Sequence, residues 1–466
     1  LSELIVSVSG IRGITGDSLT PQNIVKYASA FAEYCRKNSG KNSGKKKIRI
    51  AVGRDGRLNG DILEDIIISV LRMSGADVIN IGIAPTPTVQ IATEDLKCSG
   101  GISITASHNP QIWNGIKFLN PDGTFLNDFQ IKQLIMIAAK GSFNYQDVKN
   151  TGKITHDDSM SFYHISKVLS LKILNISKIR KRKFKVVVDA VNSSGSNIVP
   201  DLLEKLGCKV IRLHCDGSGI FPHTPEPVPE NLASLSKSVL NNKADMGIAI
   251  DPDADRLVLI TEKGKSFGEE NTITMAVNHA LRIQSGSGKN VTVNLSTTRS
   301  VEDVALKYKS KVFRSPVGEI NVVNEMKKRR SLIGGEGSGG IIYPELHYGR
   351  DSLAGIALVL NELADSGKSL SEYKSGLPEY FIYKSKIEDI KDPDKVLRKI
   401  KSKYSVKNSN IRINTDDGLK LDFADHWIHL RKSNTEPIIR IITEAKSEKE
   451  AININKKITS EIRGIL

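Results

Sequence analysis

Gly101-Ile102-Ser103-Ile104-Thr105-Ala106-Ser107-His108-Asn109-Pro110 is the stretch on which the reading of this chain turns. Its apolar first half reads as a buried strand, and Asn109-Pro110 forces the turn that ends it. Ser107 is thereby expected on a loop at a strand end, where open α/β sheets bind ligands. A serine hydroxyl placed there can act as a nucleophile or carry a phosphoryl group. Taken alone, the same residues also fit an ordinary serine turn followed by a surface histidine. Trp113-Asn114-Gly115-Ile116-Lys117-Phe118 then begins a return strand.

Working outward, strands and helices alternate, which is the α/β signature. Upstream, Ser9-Gly10-Ile11-Arg12-Gly13 brackets an arginine with glycines, so a tight turn can present a guanidinium. Residues 23–36 read as a helix, 37–47 as a mobile polar loop, and 48–52 and 78–81 as strands. A second unit starts near 155. It has strands at Lys185–Asp189 and Lys209–Leu213, an extended loop over 221–231 with four prolines, and a strand at Met246–Ile250. A third has strands at 291–295 and 311–314, helices from about Ser300 and across 321–327, and a strand at 331–333 ending in Gly334-Gly335-Glu336-Gly337-Ser338-Gly339-Gly340. The last hundred or so residues carry a polar linker at 401–408, then strands and a final helix near 449–462, an α+β texture.

Composition sets the outer limits. At 466 residues the chain is too long for one ordinary domain; about 150 residues per domain suggests three or four. It is 39% hydrophobic and 26% charged, as in soluble globular proteins. No apolar run approaches the roughly 18 residues of a membrane span. Arg12 and Gly13 interrupt the short apolar start, so no signal peptide is expected and a cytoplasmic location is. The cysteines at 35, 98, 208 and 215 form no CxxC pair, which argues against zinc ribbons and fits a reducing compartment. A net charge of +15 admits a nucleic-acid-binding protein as an alternative of another class. With 5% aromatics and no recognised motif, solvated faces or an anionic small substrate account better for the charge.

Three further constellations carry chemistry. Asp251, Asp253 and Asp255 alternate through Asp251-Pro252-Asp253-Ala254-Asp255-Arg256. Three close carboxylates repel unless a cation relieves them, and hard oxygen donors suit Mg²⁺. An EF-hand loop is excluded, because Arg256 stands where its glycine is needed. The glycine-rich loop around Glu336 and Ser338 lacks the Lys-Ser/Thr of a P-loop, and its side chains suit sugar hydroxyls. His347-Tyr348-Gly349-Arg350-Asp351 follows it. Arg431-Lys432-Ser433-Asn434-Thr435-Glu436-Pro437, with Arg440, offers forked donors and a turn to a phosphate.

Together, and in this order, these stretches resemble the α-D-phosphohexomutase superfamily of phosphoglucomutases, phosphomannomutases and phosphoglucosamine mutases. The resemblance implies three related mixed α/β domains and a smaller C-terminal α+β domain around a central cleft. The expected domains are 1–154, 155–256, 257–370 and 371–466. It implies interconversion of hexose 1-phosphate and hexose 6-phosphate, with Ser107 as a phosphoserine and a hexose 1,6-bisphosphate as intermediate and activator. Asp251, Asp253, Asp255 and a Ser107 phosphate oxygen would hold one Mg²⁺ per chain. Arg12, His108, Lys117 and Arg256 would line the reaction centre, with Lys117 moving protons. Glu336, Ser338 and His347 would meet the sugar. Arg431, Ser433, Asn434, Thr435 and Arg440 would hold the other phosphate. A monomer or homodimer is expected, with no nucleic-acid or membrane partner. Many bacterial phosphomannomutases end the sugar loop in histidine where this chain has Gly340, and many bacterial phosphoglucosamine mutases have Gly where it has Asn434. Phosphoglucosamine mutase therefore stands as the alternative substrate reading.

Overall fold

The structure, a computed structural model, describes residues 3–38, 47–284, 288–407, 411–433 and 437–465. Most of the expected loop over 37–47 lies outside those residues; Lys37 and Asn38 close the helix Pro21–Asn38. The chain divides into two compact units. One comprises residues 1–284 and 338–375, the other 285–337 and 376–466.

In the first unit, the β-branched run of Lys185–Asp189 buries Val186, Val187 and Val188 completely, as a strand covered on both faces must. It lies between Lys209–Leu213 and Met246–Ile250, parallel to both, and Leu257–Thr261 returns antiparallel outside the latter. The larger sheet repeats this plan. Arg49–Arg54 lies between Asp77–Ile83 and Gly100–Ile104, parallel to both, with Trp113–Leu119 antiparallel beside Gly100–Ile104. Helices Gly60–Met73 and Gly195–Lys205 make the crossovers that parallel neighbours require. In the second unit Asn290–Asn294 likewise lies between parallel Lys311–Ser315 and Ile333–Glu336. The same strand order three times is a structural repeat that residue identity does not reveal. Its consequence is positional: the loops 105–112 and 251–256 both follow the third strand of a repeat, at its carboxyl end.

The helix Ser352–Ser366 is the spine of the first unit. Leu353 through Leu360 are all buried, and it packs against helices Met160–Leu169, Ile176–Arg182 and Glu269–Ile283. Asp351 caps it by accepting from the Leu353 and Ala354 amides. In the second unit, strands Phe381–Ile387, Ile439–Ala445, Trp427–Lys432, Leu419–Asp422 and Arg412–Asn414 form an antiparallel sheet in that spatial order. Helices Pro393–Lys407 and Glu448–Arg463 supply Val396, Ile400, Ile458 and Ile462 to the core on its apolar face.

Two local expectations are corrected. The polar linker at 401–408 is helical through Lys407, its continuation fixed by an apolar stripe of Val396, Leu397, Ile400 and Tyr404. The strand read at 331–333 runs over Ile333–Glu336, so Gly334 and Gly335 belong to the sheet and the turn is confined to 337–339. Gly334 is there for space: a Cβ would stand 2.5 Å from both Met326 Sδ and the Thr292 carbonyl oxygen.

Candidate active site

Ser107 follows the buried strand Gly100–Ile104, as its sequence predicts, and adopts φ +50°. A non-glycine residue in the left-handed region is held there by its surroundings. The holding groups are clear. Ser107 N donates to Thr105 Oγ1 at 2.8 Å, and Thr105 Oγ1 donates to Asp55 Oδ2 at 2.6 Å. Arg57 Nη2 donates to the Ser107 and Asn109 carbonyls, and Nη1 to those of Pro110 and Trp113 at 2.8 and 2.9 Å. Arg57 is 1% exposed and pairs with Asp55 at 3.1 Å. A guanidinium is the one side chain that can fork to several carbonyls while remaining charged. The sequence reading missed Arg57, because Gly53-Arg54-Asp55-Gly56-Arg57 reads only as the turn from a strand into a helix.

The three aspartates converge on this serine, and each commits one oxygen to the scaffold. Asp251 Oδ1 accepts from the Asp255 and Arg256 amides at 3.1 and 3.2 Å, while Oδ2 accepts from Ser107 Oγ at 3.0 Å. Asp253 Oδ2 accepts from Lys117 Nζ at 2.6 Å and Thr86 Oγ1 at 2.7 Å. Asp255 Oδ2 accepts from Arg350 Nη2 at 2.5 Å and lies 3.6 Å from Lys117 Nζ. Asp253 Oδ1 and Asp255 Oδ1 are buried with no hydrogen-bond donor among the described residues. One oxygen from each of the three carboxylates lies within 4.8 Å of the others. Two bare buried carboxylate oxygens beside a third are a donor set for a hard divalent cation.

The electrostatics agree. Burial, then repulsion from Asp255 and Asp253, drives the Asp251 carboxyl well above its ordinary range. Burial opposes ionisation of Asp253 too, but Lys117 and the Thr86 hydrogen bond outweigh it and hold that carboxyl below its usual range. Burial and the charges of Arg256 and Arg12 push His108 down to about 2, so its ring is neutral. His108 Nδ1 lies 3.3 Å from Ser107 Oγ. Arg12 Nη1 donates to Asn109 Oδ1 at 3.0 Å. The first unit thus gathers Arg12, Ser107, His108, Lys117, the three aspartates and Arg256, and adds Arg350. A Cβ on Gly340 would stand 2.3 Å from Arg350 Cδ, so the glycine makes room for that arginine.

The remaining expected residues divide between the two units. His347 Nε2 lies 3.0 Å from Asp351 Oδ2, to which His164 Nε2 also turns at 2.8 Å. Ser338 is half-buried in its turn in the first unit. In the second unit Glu336 Oε1 accepts from Asn294 Nδ2 and the Gly318 amide, each at 2.9 Å. Arg431 and Arg440 are register partners on adjacent antiparallel strands, and Lys386 is the partner of Arg440 on the next. Lys386 is balanced by Glu388 at 2.6 Å. Arg431 Nε lies 2.8 Å from Asp417 Oδ2, and Ser433 N donates to the Ile438 carbonyl at 3.1 Å. Asn434 and Thr435 lie outside the described residues.

Comparison with known proteins covers the chain in succession. Models of phosphoglucomutase/phosphomannomutase alpha/beta/alpha domains I, II and III match residues 4–145, 163–264 and 269–381, and the C-terminal domain of the same series matches 384–460. A phosphoglucomutase/phosphomannomutase of Thermococcus kodakarensis is 37% identical over 95% of this chain and 94% of its own length. A phosphoglucosamine/phosphogalactosamine mutase of Sulfurisphaera tokodaii is 32% identical over 99% of each. The crystal structure of a phosphoglucomutase/phosphomannomutase family protein from Burkholderia thailandensis superposes with a TM-score of 0.84 at 26% identity, covering 99% of this chain and 98% of that one.

Proposed function

The chain belongs to the phosphoglucomutase/phosphomannomutase family, and on that premise we propose that it is an Mg²⁺-dependent phosphohexomutase interconverting hexose 1-phosphate and hexose 6-phosphate. The observation that carries the reading is Ser107: a buried serine in a left-handed turn, donating to one of three clustered carboxylates and held at its carbonyl by the buried Arg57.

In this reading Ser107 carries a phosphoryl group in the resting enzyme. The phosphorus leaves Ser107 Oγ for a free hydroxyl of the hexose monophosphate, and Oγ gains the proton that the hydroxyl loses. Lys117 is the proposed carrier of that proton, and Arg12 and Arg256 hold the phosphoryl oxygens during transfer. Asp251, Asp253 and Asp255 would hold Mg²⁺ with a phosphoserine oxygen, and the ion would neutralise charge on the moving group. The bisphosphorylated hexose then presents its other phosphate to Ser107, so hexose 1,6-bisphosphate also serves as activator by phosphorylating an empty serine. Arg431, Ser433 and Arg440 hold whichever phosphate is not reacting, and Glu336 and Ser338 grip sugar hydroxyls.

A second substrate reading has its own support. The sugar-loop position Gly340 is backed by the Arg350 side chain, so a histidine has no room there. That departure, with the amino-sugar mutase relative, keeps glucosamine phosphate on the substrate panel. The test is two-part. Intact mass and peptide mapping should find phosphate on Ser107, and Ser107→Ala should lower turnover by more than about 10³-fold, as loss of a covalent nucleophile does. Glucose, mannose and glucosamine 1-phosphates ranked by kcat/KM assign the sugar. Full activity in Ser107→Ala would remove the mechanism.

A further inference from the structure

Asp189, His214 and His223 form a second cluster, in the first unit and chemically unlike the first. One donor atom from each lies within 4.8 Å of the others. Asp189 ends the strand Lys185–Asp189 and is 1% exposed. Its Oδ1 accepts from the Val191 amide at 3.0 Å. Its Oδ2 faces His214 Nδ1 at 2.9 Å and His223 Nε2 at 3.1 Å.

The hydrogen positions make this arrangement informative. His223 Nδ1 lies 2.8 Å from the Thr224 carbonyl oxygen. A carbonyl only accepts, so Nδ1 carries the hydrogen. In the neutral ring the Nε2 lone pair then points at a carboxylate oxygen, and something positive must sit between them. Metal-bound histidines have this second-shell pattern, the far ring nitrogen donating to a backbone carbonyl. The anchored Asp189 Oδ1 likewise leaves one carboxylate oxygen for the site. The neighbouring Cys215 thiol is spent on the Val188 and Leu213 carbonyls and is not a ligand.

We propose that Asp189, His214 and His223 bind a first-row divalent transition metal of the zinc class. Two imidazoles and one carboxylate are a borderline donor set with an open position for water, which favours zinc over magnesium. The His214 and His223 side chains are 22% and 17% exposed, so an ion reaches them from solvent. The site fastens the loop that buttresses the Ser107 turn. Gln111, just past that turn, donates to the Gly219 carbonyl and accepts from the Phe221 amide, each at 2.8 Å. The Phe221 ring lies 4.9 Å from the Arg57 guanidinium carbon. Metal binding is therefore expected to stabilise the loop next to the nucleophile, independently of which reaction the serine performs.

The experiment is zinc titration of the metal-stripped full chain in excess Mg²⁺, by calorimetry and by thermal melting, with cobalt as an optical probe. One zinc per chain is expected, with visible cobalt bands and a raised melting temperature in the parent and in Asp253→Asn. His214→Ala and His223→Ala should each bind zinc at least about tenfold more weakly, as loss of a ligand implies, and lose the cobalt bands. Two separate variants guard against one that misfolds, and their metal-free melts report folding directly. The proposal is overturned if the parent binds no zinc, which leaves a proton on His223 as the bridge. Zinc affinity unchanged in both histidine variants, or lost in Asp253→Asn, also overturns it by placing the ion elsewhere.

Discussion

Lys117 and Lys420 are 3% and 2% exposed, yet their ammonium groups meet different surroundings. Lys117 lies 2.6 Å from Asp253 Oδ2 and 3.6 Å from Asp255 Oδ2, within a cluster of three carboxylates. Lys420, in the second unit, donates to the Leu295 carbonyl at 2.6 Å and lies 4.4 Å from the Trp427 ring centroid. Burial, and then the charge of Arg314, push Lys420 down to about 7, although Asp422, Glu302 and Glu444 pull the other way. A carbonyl and a ring face satisfy a donor without offsetting a full charge; carboxylates in contact do both. The same residue type at the same depth is thus a counter-ion in one place and a half-neutral packing element in the other.

The comparison is broken most forcefully at Lys117. Lys117→Met is expected to lower kcat by about 10²–10⁴-fold, the range of a lost acid–base group, with KM for the phosphosugar changed far less. Initial-rate kinetics over a substrate series decide it, and a loss confined to KM would make Lys117 a binding group only. Asp253→Asn attacks the same pair from the other side. It should raise the Mg²⁺ concentration for half-maximal activity by about 10–100-fold. Metal titration of activity, read beside sugar KM, separates this from a general loss.

A third buried cation sharpens the contrast, since Arg57 is held chiefly by main-chain oxygens. Arg57→Lys keeps a charge against Asp55 but cannot fork to the carbonyls of Ser107, Asn109, Pro110 and Trp113. A serine displaced by about 1 Å costs up to about 10²-fold, so kcat should fall roughly tenfold to a hundredfold. Turnover measured with thermal melting on the same samples tells misplacement from unfolding.

The last effect belongs to Lys420, leaves turnover untouched and is one of pH. Its folded pKa is about 7 and its unfolded value about 10.4. Between those values the unfolded chain binds the extra proton, so this group makes stability rise with pH across the window; as pH falls the loss accumulates from about 10 and is complete by about 7. Lys420→Met should remove that slope, gaining stability relative to the parent by at most about 1.4 kcal/mol per pH unit from about pH 10 to about pH 7. Urea melts of both proteins at the two ends of the window test it; parallel curves would show that Lys420 stays charged when folded.

Strands at Lys185–Asp189, Lys209–Leu213 and Met246–Ile250 were legible to the residue, because β-branched runs between turn signals have one reading. The serine turn and the aspartates were legible because their chemistry depends on residue type at short spacing. Arg57 and Arg350 were not. Arg57 recognises chiefly carbonyl oxygens, which every residue has, so no partner in the sequence betrays it. Arg350 reaches Asp255 across nearly a hundred residues and needs Gly340 to be small. Lys420 alternates with Leu419 and Leu421 as if it faced solvent. Only the tertiary cover over that face makes it unusual.

The spine helix Ser352–Ser366 has a consequence for how the protein is made. Its neighbour Glu269–Ile283 leaves the ribosome first, and residues 285–351 must follow before the spine exists. At roughly 5–20 residues per second that delay is on the order of several seconds. Throughout it, Asn278, His279 and Arg282 lack Glu362, to which all three are bonded in the finished fold. The side of Glu269–Ile283 that packs on the spine waits uncovered for the same interval. Residues 338–375 complete the unit that residues 1–284 begin, so expression of the first 284 residues alone should yield aggregate.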